Sequence, residues 1–243
     1  MRIYRSLGEL QRYVDSGEMM SRTFYVDAEN GDDNNDGSEF APFATIRKAC
    51  DSVPVGGFGR INLADGQIFN IDTDFYLINK YIEIIGSGNN KPIINFKAYL
   101  INSKNALKSI ILSNSNLSFY LCNLRHDNKV DSSQSWTLGS GNCVPIVIGG
   151  VYSRHFDKGG VAFIECDISQ THQIFVLSKH SFGTLLTVGG NINLDGDSTA
   201  FVTAQYGTLS LNVYNTSITS GKKWVYNGTI GSNVITNLSS LDT

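Results

Sequence analysis

The chain has 243 residues, 17% of them charged, with 19 Lys and Arg against 22 Asp and Glu for a formal net charge of −3. That length buries a sizeable core without forcing a division into two units, and the lack of a basic field argues against nucleic acid or an anionic membrane as the main partner. No apolar run is long enough to span a bilayer, while 24 Gly and abundant Asn, Ser and Thr suit many short strands joined by tight turns.

Residues 1–22 read as an N-terminal attachment segment. Within it Ile3, Leu7, Leu10 and Val14 recur at steps of 4, 3 and 4, which predicts a short helix over 3–16. Ser6-Leu7-Gly8-Glu9 matches a capping box and Gly17 a stop. A helix this short is marginal alone, so its stripe packs on the body or on copies of itself. The first turns mix Arg2, Arg5, Glu9, Arg12, Asp15 and Glu18 with apolar positions. No signal-peptide pattern is read there, and synthesis in the cytoplasm is expected.

Residues 23–58 carry a strand over 23–28, a polar loop from Glu29 to Phe40, and a helix over 45–53 capped by Thr45. Ile46, Ala49, Cys50 and Val53 fall at i, i+3, i+4 and i+7 of that helix. An amphipathic helix of this kind suits the open apolar end of a solenoid. Asp32-Asp33-Asn34-Asn35-Asp36-Gly37 contains the start of a calcium loop, D-x-N-x-D-G, but its twelfth position is Phe43 where a Glu ligand is needed. Side chains that bond their own backbone account for such a loop with less. No metal site and no cofactor is therefore expected.

Residues 59–243 form the body. Strands are predicted at 60–64, 81–85, 92–96, 109–112, 117–121, 145–148, 161–165, 174–177, 184–188, 200–203, 208–213, 224–226 and 233–236. A ladder of Asn or Asp between apolar neighbours runs through the second half: Asn123, Asp167, Asn191, Asn215 and Asn237. Its steps are 44, 24, 24 and 22 residues, with the first read as two coils of 22. Periods in this range mark a solenoid in which only stacking buries a continuous core. The fold class is thus all-β, a parallel β-helix of about seven coils. The ladder residues read as turn markers rather than ligands. Cys122 and Cys166 share a phase, and as two coils apart they would stand about 10 Å from each other, too far to bridge. Cys50, Cys122, Cys143 and Cys166 show no metal spacing and read as buried free thiols.

At 24–49 the sequence shows a resemblance. Phe24-Tyr25-Val26-Asp27, Asn30-Gly31-Asp32-Asp33-Asn34-Asn35-Asp36-Gly37 and Ala41-Pro42-Phe43-Ala44-Thr45-Ile46-Arg47-Lys48-Ala49 resemble the lead-in of right-handed parallel β-helix proteins, the pectate-lyase-like superfamily. That lead-in is common in bacteriophage tailspikes and tail fibres and in secreted polysaccharide-active proteins. The resemblance implies a right-handed coil, a homotrimer, a place in the virion, contact with other tail proteins through residues 1–22, and a bacterial surface polysaccharide as partner. It carries no catalytic residues across, because branches of the superfamily place theirs differently.

The repeat register gathers scattered polar residues into two groups. Measured from the ladder, Arg154, His155, Asp157 and Lys158 on one coil, Lys179 and His180 on the next, and Gln205 and Tyr206 on the third fall at similar offsets. Cations, a carboxylate, imidazoles and an aromatic platform together suit an acidic sugar. A second group lies beyond the ladder: Arg125, His126 and Asp127, then Gln170 and His172, then Asp195 and Asp197. A solvated polar face is the competing reading for each group.

Glycoside hydrolysis needs two carboxyls about 5 Å apart for retention or about 6.5–9.5 Å for inversion. Asp127 and Asp195, taken as three coils apart, stand on the order of 14 Å from each other and do not pair. Asp195 and Asp197 form the best intrachain pair, and Asp157 with His155 a possible acid–base couple. These readings give three functions: a tail fibre or tailspike component binding surface polysaccharide, a depolymerase of capsule or O-antigen with Asp157, Asp195 or Asp197 as catalytic carboxylates, or a structural connector of the virion.

Overall fold

The computed structural model describes residues 21–87, 89–137, 144–149, 158–171, 174–179, 182–196, 198, 200–204, 207–219, 221–226 and 228–241. The predicted helix over 3–16 lies outside these. Each coil of the chain gives one strand to each of three sheets, and the pairing within all three is parallel. Sheet I holds β1 (Ser21–Val26), β2 (Phe58–Leu63), β5 (Tyr81–Ile85), β10 (Ser115–Tyr120), β13 (Lys158–Ile164), β16 (Phe182–Val188), β19 (Thr208–Tyr214) and β22 (Val234–Thr236). Sheet II holds β3 (Ile68–Ile71), β6 (Ile93–Phe96), β11 (Asn123–His126), β14 (Asp167–Gln170), β17 (Asn191–Leu194) and β20 (Ser217–Ile218). Sheet III holds β4 (Phe75–Ile78), β9 (Ile110–Ser113), β12 (Ile146–Ile148), β15 (Val176–Ser178), β18 (Ala200–Ala204) and β21 (Lys223–Tyr226). This is the expected parallel β-helix, with β1 before the first complete coil and β22 opening the next.

Alternation along each strand sends one side chain inward and the next outward. In β19, Leu209, Leu211 and Val213 are buried while Ser210, Asn212 and Tyr214 face out. Inside, like residues stack from coil to coil. Phe119 and Phe163 are direct partners, with ring centroids 5.5 Å apart and planes within 5°. Phe175 and Phe201 stack at 5.8 Å, and Trp224 closes the column edge-on at 6.3 Å.

The helix α1 (Ile46–Ser52) forms as predicted, with the Thr45 side chain accepting from Lys48 N and with Ile46, Ala49 and Cys50 buried. It packs on β1, β2 and β3, covering the first coil. Lys80, itself buried, donates from Nζ to Cys50 O at 2.9 Å and so satisfies a carbonyl at the helix end. The acidic loop ahead of the helix is consumed by its own turns. Asp33 accepts from Ala44 N, Thr45 N and Thr45 Oγ1, Asp32 from Asn34 N, and Asp36 from Ser38 N.

The corner from sheet I to sheet II is a short turn repeated coil after coil. Leu121, Glu165, Gly189 and Asn215 occupy the same place in four successive coils, all with φ between 52° and 66°. This left-handed conformation costs a side-chain-bearing residue roughly 1–2 kcal/mol. Gly190, also at positive φ, is needed for a second reason: a Cβ there would lie 1.9 Å from Cys166 O.

Three sequence expectations are corrected by the register. Asn123 pairs directly with Asp167, so the 44-residue step is one coil with a long insert and not two coils. Asn191 partners Ser217, so Asn215 stands two residues short of the ladder, at the left-handed corner. Cys122 and Cys166 consequently lie on adjacent coils, about one strand spacing of 4.8 Å apart rather than two. Both are free and buried, as is Cys50. Burial pushes the Cys50 thiol up to about 12 and that of Cys166 to about 11, and it raises Cys122 as well. Such thiols are inert at neutral pH. Cys143 lies outside the described residues.

Candidate functional site

Sheet II builds the site. Its outward row runs Asn70, Asn95, Arg125 through direct pairings, and Ser169 pairs Asn193 on the coils that follow. The neighbouring row is apolar in the first coils, with Ile71 paired to Phe96 and Phe96 to His126. At His126 it turns polar, and Gln170, buried and donating to Ala200 O at 3.2 Å, is the corresponding residue of β14. A groove of about 410 Å³ opens over this change, lined by Asn95, Arg125, Asp127, Asn128, Ser169 and Asp195 among others.

Two inserts interrupt the coils that carry the groove. The hairpin of β7 (Ala98–Ile101) and β8 (Lys104–Leu107) interrupts one coil, and the segment after His126 extends the next. Asn105 joins them. It is fully buried, its amide nitrogen donates to Asp131 O at 2.8 Å and Gln134 O at 2.9 Å, and its side-chain oxygen accepts from Asp131 N. The docked segment seats Trp136, also buried, edge-on against the His126 ring at 5.6 Å.

Asp127 and His126 are committed to the protein itself. Asp127 Oδ1 accepts from Asn95 Nδ2 at 2.8 Å, and Oδ2 accepts from Lys97 Nζ at 2.9 Å and Ala98 N at 3.3 Å. Burial alone pushes this carboxyl up, but the bonds from Asn95, Lys97 and Ala98 and the Lys97 charge outweigh it and hold it below the ordinary value. His126 Nε2 accepts from Thr171 N at 3.0 Å, so the ring proton resides on Nδ1 and is given to Asp127 O at 2.7 Å. Burial lowers the pKa of this ring, against smaller opposing effects of the Asp127 backbone and charge.

Arg125, Asn128, Ser169 and Asp195 remain exposed along the groove. Asp195 accepts from Asn193 Nδ2 at 3.2 Å. Because the 44-residue step is a single coil, Asp127 and Asp195 end strands two spacings apart, about 10 Å along the axis instead of about 14 Å. Asp197 and His172 lie outside the described residues.

Of the other sequence-derived group, Arg154, His155, Asp157, His180, Gln205 and Tyr206 also lie outside them. Lys158 and Lys179 are described, and they occupy different registers. Lys158 opens β13 opposite Phe182, whereas Lys179 follows β15 and donates its backbone N–H to Ile148 O. Asn95, Asn128, Ser169 and Thr171 were not read as site residues. A short strand whose outward positions are Asn, Ser or Thr looks like a turn until its neighbours are known.

No protein-family model matches the chain, and no curated protein matches it by sequence. Among solved structures, a rhamnogalacturonan lyase aligns at a TM-score of 0.42 and 13% identity, over 80% of this chain and 56% of that one. The GH136 lacto-N-biosidase from Eubacterium ramulus aligns at a TM-score of 0.35 and 16% identity, over 90% and 38%. The chain spans less than two thirds of the length of either. Neither likeness assigns it to a family.

Proposed function

We propose that the chain is a polysaccharide-binding β-helix module, of the kind phage tail fibres and tailspikes carry in the virion, and that it holds a bacterial surface glycan in the sheet II groove. The observation that carries this reading is the division of labour in that groove. Asp127 and His126 are fixed from within, while Arg125, Asn128, Ser169 and Asp195 present a guanidinium, an amide, a hydroxyl and a carboxylate outward. Donors and acceptors presented from a stack of coils suit a chain of sugar hydroxyls, since the backbone beneath them is already ordered before binding. Assembly as a homotrimer, with residues 1–22 contacting other tail proteins, belongs to the same proposal.

One feature favours the depolymerase as second reading. Asp127 and Asp195 flank the groove at about the upper limit of the separation for inverting hydrolysis. Against it, the Lys97 ion pair and the Asn95 bond keep Asp127 ionised and occupied, so it is poorly placed to donate a proton.

The test is retention of labelled protein by a panel of encapsulated strains, scored together with translucent halos on lawns. Wild type should be retained without a halo, and Arg125→Ala should weaken retention about tenfold, the weight of one charged hydrogen bond. Undiminished retention of Arg125→Ala would sink the groove. A halo abolished by Asp195→Asn would establish the depolymerase instead.

A further inference from the structure

We propose that His126 is the positioning residue of the groove: its unprotonated ring ties the Asp127 corner of one coil to the Thr171 corner of the next, and taking up a proton releases that tie and loosens the groove's hold on a glycan. The last step rests on the binding reading above; the tie itself does not.

The ring stands in the row where the preceding coil carries Phe96, a purely apolar filler. Packing alone would be served by another Phe. The imidazole adds a lone pair at Nε2 that accepts from Thr171 N at 3.0 Å, and an Nδ1–H that donates to Asp127 O at 2.7 Å. Both partners are backbone groups next to groove-lining residues, so the ring sets how the third and fourth coils meet beneath the ligand. A protonated ring has no lone pair at Nε2 and turns an N–H toward the N–H of Thr171. That amide then loses its acceptor at the part-buried wall of the groove.

Charged groups of both signs lie on the described elements around the ring. Arg125 and Asp127 lie on its own coil, Lys97 on the coil before, Lys129 and Asp131 on the insert, and Asp195 at the end of β17. Asp127 is already paired with Lys97, and Asp131 accepts from Ser133. The Asp127 backbone and charge favour the protonated ring, and burial under Trp136 outweighs them and keeps it neutral. The unfolded chain takes up this proton near the ordinary value of 6.5 and the folded chain only below it. Between the two values the unfolded form binds more protons, so stability is full above about 6.5 and falls as the pH drops through that window.

Wild type, His126→Gln and His126→Phe decide the matter. The Gln carbonyl can accept from Thr171 N and does not titrate, whereas Phe fills the space without an acceptor. Amide exchange at Thr171, corrected for intrinsic rate, is followed from about pH 7.5 to about pH 5. Wild type should lose protection about tenfold across that range, His126→Gln should stay protected, and His126→Phe should be unprotected at both ends. Constant protection in wild type, or the same loss in His126→Gln, overturns the tie. Wild type against Gln decides even where the Phe variant fails to fold. Retention by a strain that binds wild type at about pH 7.5 is measured in parallel, and it should fall with acid in wild type and not in His126→Gln. If exchange responds and retention does not, the link from ring to groove is wrong. If no strain retains wild type at about pH 7.5, the binding reading fails with its ligand step, and the exchange comparison still decides the tie.

Discussion

Inside sheet I, a single row runs Phe119, Phe163, Thr187, Val213 through four coils by direct pairing. Thr187 is the polar member, and its Oγ1 is buried with no hydrogen-bond partner among the described residues. A buried hydroxyl left unpaired costs about 1–3 kcal/mol, and Val has nearly the same shape. Thr187→Val should therefore stabilise the fold by about 1 kcal/mol, read as a higher denaturant midpoint with an unchanged slope. A lower midpoint would mean that the hydroxyl does have a bond. At this scale the sequence was legible only in part. His126 and Gln170 sit at positions that the strand period reserves for apolar side chains, and a polar residue in an apolar phase looks like the end of a strand, whereas Thr187 falls within a strand predicted at 184–188. β11, β14 and β17 are hidden for another reason: each opens on a ladder Asn or Asp, a residue type that reads as a turn.

At the scale of elements, the two inserts hold each other in place through Asn105. Asn105 exchanges bonds with Asp131, Gln134, Ser135 and Thr137, counting its side chain and backbone together. Asn105→Ala keeps the backbone bonds but leaves the part-buried Asp131 and Gln134 carbonyls without the amide, at about 1 kcal/mol for each. The loss should be local, because neighbouring coils keep their own contacts. Limited proteolysis should then cut between 128 and 137 at least about tenfold faster, each 1.4 kcal/mol of local stability being worth about tenfold. The melting of the solenoid should change little. Equal cutting in both proteins would show that Asn105 is not what holds the segment. Nothing in the 44-residue step announces this arrangement: a step near twice 22 is as natural for two coils as for one coil and an insert.

For the whole molecule, the outward face of sheet I is the surface on which the proposed homotrimer is tested. Ile85, Tyr120, Ile164, Val188 and Tyr214 follow one another in register across five coils, with Ala162 and Leu186 in the adjacent row. Along β5, β10, β13, β16 and β19, the described charged residues of this face are Glu83, which pairs with Arg60, and Lys158 at the edge. A flat face of about five strands at 4.8 Å, and about 20 Å wide, offers on the order of 500 Å² per copy. Two such faces reach the roughly 1,000 Å² that separates a specific interface from casual contact. Leu186→Glu, placed in mid-face and pointing outward, should leave the fold intact and give a monomer in sedimentation. If the wild type is itself monomeric at micromolar concentration, the homotrimer is wrong.

The sequence by itself determined the class of fold: recurrent apolar–polar alternation in units too short to bury a core alone requires stacking, and the α1 pattern requires an end to cover. It also brought Arg125, His126, Asp127 and Asp195 into one group, because residues at like offsets from a repeat share a face. Only the tertiary structure decided how many coils separate them, since an insert adds residues to the chain without adding height to the stack. It alone decided which of them are spent inside the wall, because a carboxylate or an imidazole is committed by the partners that neighbouring coils bring to it.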